Sequence, residues 1–259
     1  MAGTLSLLGV DFGTDLIGAN DGNPRGHFEL TAAVELNDVL LRRTFGSRWK
    51  LPFRLPPNWR NAVDLCRLPT AQPLEFPAGH PCGIKDPRMC RLIPIWLELL
   101  AQRNLKPHFV VALRPPAEVA ASLERRDGLS PADSRDLWLE HLAAAERDTR
   151  AYPRTFITME ALLSEPDISA RRLALFLSLP EPNSSRLDSI HEFLDGNLRH
   201  HNAVDRSPVS AHVDIADEFY DLLTQVASGA MPDDEAFRLE ADQLLLQHRD
   251  NKKTNCLQK

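Results

Sequence analysis

The stretch FVVALRPPAEVAASLERRDG, residues 109–128, decides how the rest of the chain reads. Phe109 to Leu113 is apolar, β-branched and aromatic, and so short a run suits a buried strand better than a helix. Arg114 ends it, and Pro115 and Pro116 can open a helix but not sit inside one. A strand, a cation and a helix N-terminus therefore follow one another. In a parallel α/β sheet ligands bind beyond the carboxyl ends of the strands, and free N–H groups at a helix start favour an anion. Ser122, eight residues after Arg114, falls about two turns along. Its hydroxyl can reach a phosphate gripped by the guanidinium. A purely structural reading stays open beside this one: Arg114 pairs with Glu118 or Glu124, and Ser122 packs on a helix face.

Working outward, CGIKDPRMCRLIP (82–94) predicts another short strand ending in charge, then a helix. Two such ends on one sheet edge would gather Lys85, Arg88 and Arg114 in an otherwise acidic chain. The plainer alternative has Asp86 neutralising Arg88 and capping the helix. RTFIT (154–158) predicts a third strand. Helices are expected at the N-terminus up to Gly9, over Leu30–Phe45 and Leu92–Leu100, and from the Ser130-Pro131 cap to about Arg150. Further ones fit residues 167–179, 184–194, 213–227 and 233–247. Residues 50–81 carry repeated prolines and predict a surface excursion, with a short helix over Trp59–Leu68. Short strands between helices make an α/β domain with a parallel sheet, taken as one unit over 1–248 with a frayed polar tail at 249–259.

The bulk numbers narrow the function classes. The chain has 259 residues, 43% hydrophobic and 25% charged, with 30 Lys plus Arg against 36 Asp plus Glu. A net charge of −6 gives no reason to expect nucleic acid as partner, so an anion site must be local. Cys66, Cys82, Cys90 and Cys256 lack C-x-x-C spacing, which argues against zinc or a disulfide framework and for a reducing cytoplasm. No apolar run is long enough to span a bilayer, and no secretory leader is evident.

The blocks GIKDPRMCRLIPIW, LRPPAEVAASLERRDG, LWLEHLAAAERDTRAYPR, MEALL and FLDGNLRHH, in this order, resemble bacterial sulfotransferase-family proteins over roughly residues 3–202. That resemblance implies a three-layer α/β/α fold of the P-loop type with a parallel sheet. It implies sulfuryl transfer from 3′-phosphoadenosine 5′-phosphosulfate to a hydroxyl of a carbohydrate, glycolipid or small metabolite, without a metal. Arg114 and Ser122 match the family's 3′-phosphate pair, and NPRGHFE (23–29) resembles its turn ending in a glutamate near the acceptor. The G-x-x-R-S-G-T-S-like loop and its strand, which in the family wrap the 5′-phosphosulfate, find no match, so the first strand of the sheet is expected to be missing. AGTLSLLGV resembles the helix after that loop. A start codon assigned too late and a product that lacks the loop both remain open, the first preferred. A non-catalytic remnant binding a nucleotide or protein partner is the rival reading. A P-loop kinase is disfavoured because no Walker lysine motif is present.

Sulfuryl transfer needs a base for the acceptor hydroxyl and cations for the departing nucleotide. Glu29 is the expected base, with Phe28 excluding water beside it, and His27 is second choice. Lys85 is the expected cation at the transferred group, Arg88 a substrate contact, and Arg199 a donor-site or lid contact. His200 and His201 are adjacent and lack a third ligand, so a metal is not expected there. Trp96 and Trp138 read as core, while Trp49 and Trp59 are candidates for shaping an acceptor pocket.

Overall fold

The computed structural model describes residues 1–20, 23, 25–50, 53–64, 80–194 and 214–257. Its sheet consists of β1 (Phe109–Leu113) and β2 (Arg154–Thr158), parallel and in register from Phe109 opposite Arg154 to Leu113 opposite Thr158. Two helices make the crossover: α4 (Pro116–Asp127) and α5 (Pro131–Thr149). Ser130 caps α5 by accepting from the Asp133 N–H, with Pro131 at the first helical position, and Gly128 closes α4 at φ 65°. The chain is thus α/β.

The other helices are α1 (Ala2–Leu7), α2 (Thr31–Val39, running into a π turn at Leu40–Thr44), α3 (Ile93–Ala101), α6 (Met159–Ser164), α7 (Pro166–Phe176), α8 (Ser184–Phe193), α9 (Ile215–Ser228) and α10 (Glu235–Leu257). Three apolar clusters hold them. One gathers α2, α3 and Trp59; a second packs β1, α5, α9 and α10 around Phe156, Phe219 and Phe237; a third joins α1, α7 and α8 through Leu8, Ile157 and Leu173. An ion network centred on the buried Glu146 adds to the second: Glu146 holds both Arg150 and Arg154, which reach Asp242 within α10 and Asp233 just before it.

Several expectations need correction. Residues 82–86 form no strand: Asp11 and Cys82 make a single parallel bridge, and Asp86 then caps a 3₁₀ turn over Pro87–Arg91. Proline at the first position of that turn ends any ladder there. Lys85 and Arg114 consequently do not end two strands of one described sheet. β1, expected to be buried, has only Leu113 fully so, and Ala112 is exposed. It pairs with β2 on one edge and, among the described residues, with no strand on the other. The polar tail does not fray where expected, because α10 continues to Leu257, helped by Lys252 pairing with Asp136. Helix α6, capped by the Thr158 hydroxyl, was not anticipated as an element. The short helix near Trp59 spans only Trp59–Asn61, and residues 65–68 lie outside the described residues.

Candidate functional site

Glu29 is fixed by the loop between α1 and α2. Ile17 donates to the Glu29 carbonyl at 2.8 Å, Thr31 donates to the Asp15 carbonyl, and Leu16 bridges Leu30 antiparallel. Phe28 before it takes φ 55°, a left-handed conformation that costs a non-glycine residue energy. Its ring repays this by edge contacts with Phe12 at 6.0 Å and Phe193 at 6.2 Å. Glu29, next along, is 8% exposed.

Lys85 comes from the opposite direction. The Asp11 and Gly83 amides, donating to Pro81 and Asp11 carbonyls, pin residues 81–83 beside Asp11. Asp86 anchors the other side, its carboxylate accepting from the Arg88 N–H, the Arg88 guanidinium and Asn37. Asn37 in turn accepts from the indole of Trp96 at 2.8 Å. Burial raises Asp86 above the ordinary carboxylate range, against these donors. Held between, Lys85 donates to Glu29 Oε1 at 2.5 Å. The expected base and the expected cation, 56 residues apart in sequence, therefore meet. The Met1 amine is buried beside them and pushed down to about 6, first by desolvation and then by the Lys85 charge.

At the end of β1, the Arg114 guanidinium pairs with Glu118 at 3.3 Å, one helical turn along. Its carbonyl accepts from the Trp138 indole. Glu118 and Ser122, four residues apart, share one face of α4, and Arg114, just before the helix, reaches back to Glu118. The Arg114 side chain keeps 39% exposure, and its Nε is buried with no partner among the described residues. Ser122 is half-buried.

The remaining candidates divide. Arg88 is committed to Asp86 and to Asp38 at 3.2 Å. His27 bonds Asn20 at 3.0 Å on a half-exposed turn. Arg199, His200 and His201 lie outside the described residues. Trp96, Trp138 and Trp59 are core, whereas Trp49 lies under Lys50 and Arg126. No cluster of three or more His, Cys, Asp or Glu fit for a metal occurs among the described residues.

Compared with known proteins, the chain matches no family model, no curated protein and no solved structure. Among the described residues no helix is long and apolar enough to cross a membrane. Two features escaped the sequence reading. Asn37 stands on the apolar face of α2, four residues after buried Ala33, a polar interruption that marks a buried hydrogen-bond hub. The stacking of Arg25 on Phe193 joins distant segments and left no local signal.

Proposed function

We propose that the chain is a sulfotransferase-type protein of the three-layer P-loop-like class, acting on 3′-phosphoadenosine 5′-phosphosulfate and a hydroxyl acceptor without a metal. The contact between Glu29 and Lys85 carries this reading: a buried carboxylate and an ammonium from distant segments form the base and cation that sulfuryl transfer requires. The acceptor hydroxyl takes the place of the Lys85 ammonium as donor to Glu29. Glu29 takes its proton as the new S–O bond forms, the S–O bond to the nucleotide phosphate breaks, and Lys85 offsets charge on the departing oxygen.

The exposed part of the Arg114 guanidinium fits the nucleotide's 3′-phosphate, with Ser122 half-buried on the α4 that follows it. The pairing of Arg114 with Glu118 favours the second reading, a non-catalytic remnant, since a bound phosphate must compete with that carboxylate. Two measurements separate the readings. Titration calorimetry with adenosine 3′,5′-bisphosphate should give binding that Arg114→Ala weakens by about 1.5–3 kcal/mol; unchanged affinity removes Arg114 from the site. Transfer from the sulfate donor to a panel of hydroxyl acceptors should then vanish in Glu29→Gln while nucleotide binding persists. Nucleotide binding without any transfer in the parent chain identifies the remnant.

A further inference from the structure

We infer a second anion site, distinct from the Glu29–Lys85 pair and independent of sulfuryl transfer, at Arg25, shaped for a singly charged oxyanion on an apolar body. Leu7 at the end of α1, Arg25, and Ser189, Glu192 and Phe193 of α8 line an open concavity of about 470 Å³. The Arg25 guanidinium lies over the Phe193 ring at 5.1 Å, and its Nη1 donates to the Glu192 carbonyl at 3.2 Å. Phe193 is itself held, against Phe28 on one side and Gly3 of α1 on the other, where any added Cβ would strike the ring. Arg25 is thus stacked and pinned along one edge. It has no carboxylate partner among the described residues, which leaves further N–H donors for a ligand.

A second concavity of the same volume shows the contrast. There Arg60 stacks on Trp59 at 4.6 Å but also pairs with Glu98 at 2.9 Å, so its charge is already met. Among the described residues, the hydrogen-bonded anchor of Arg25 is a carbonyl in the last turn of α8, whose partial charge orients a guanidinium and offsets it less than a carboxylate would. Leu7 and Phe193 supply apolar surface for the ligand's body. The exposed Glu192 side chain at the rim repels a dianion more than a monoanion, so a carboxylate or a sulfate ester fits better than a phosphate monoester.

The test is calorimetry with octyl sulfate, octanoate, octanol and inorganic sulfate, each below its aggregation limit, with the Arg25 side-chain resonances followed by NMR. Octyl sulfate or octanoate should bind at one site at least tenfold tighter than octanol or inorganic sulfate, shifting the Arg25 Nε signal, and the tighter of the two names the anion class. Arg25→Gln should reduce the anions to the level of octanol. Ser189→Asp, on an exposed face of α8, should do the same by giving Arg25 a carboxylate. Octanol binding as tightly as the anions, no binding by any probe, or anion affinity unchanged in both variants would overturn the site. Loss of adenosine 3′,5′-bisphosphate affinity along with octyl sulfate affinity in these variants would show that the site is not separate.

Discussion

Lys85 and Arg114 each follow an extended segment, and each cation is met by a carboxylate of a different kind. Lys85 finds Glu29 across 56 residues of chain, while Arg114 finds Glu118 only four residues on, in the first turn of α4. A pair of the second sort is local and half-exposed and contributes only a few tenths of a kcal/mol. A pair of the first sort exists only when the α1–α2 loop and the Asp86-capped turn are both in place. The long-range pair therefore reports tertiary design, and the local one reports helix geometry. This is why Glu29 and Lys85, rather than Arg114, carry the functional reading.

Removing one member of each pair tests that distinction. Lys85→Met strands a carboxylate that is only 10% exposed, with the lysine itself at 38%. A buried pair broken this way costs several kcal/mol, and partial exposure reduces the expected loss to about 2–3 kcal/mol in urea unfolding at pH 7. No loss would mean that Glu29 and Lys85 merely touch.

Acid offers a second way to separate the two ends, but His141 limits its use. Its Nδ1 lies 2.8 Å from the Leu137 carbonyl, and burial, then the Arg91 charge, pushes it down to about 4. The folded chain thus holds a neutral imidazole that the unfolded chain protonates near pH 6.5. Its stabilising effect is full above pH 6.5 and is lost as pH falls toward 4, by roughly 2 kcal/mol for a partly exposed ring. His141→Gln should flatten that slope. A slope that persists unchanged would assign the acid sensitivity to other groups.

What the sequence revealed and what it hid follow the same division between local and distant. Ser130-Pro131 acts through its immediate backbone, and α5 starts where that pair suggests. The run 82–86 reads as a short strand ending in charge, yet Asp86 and Pro87 are a stronger start signal for a helical turn. The apolarity of β1 matched a buried strand, but how far each face is covered depends on the helices packed on it, and strand composition does not encode that. Glu29 and Lys85 were nameable singly from the resemblance and from their positions. Their contact was not legible, since nothing local in either segment encodes 56-residue pairing.

The smallest effect makes the sharpest discrimination. Glu118 is half-buried, its side chain 30% accessible, and its pair is local, so Glu118→Gln should change stability by only a few tenths of a kcal/mol. Its effect on ligand should be opposite in sign to that of any other change along α4. Freed from its carboxylate, Arg114 offers its whole fork to a phosphate, and a nearby negative charge is removed at the same time. Calorimetry should therefore show adenosine 3′,5′-bisphosphate binding tighter in Glu118→Gln than in the parent chain, by about twofold to fivefold, with the gain shrinking at high salt. A weaker affinity would mean that Glu118 orients Arg114 for the ligand instead of competing with it, and the local pair would then be part of the site.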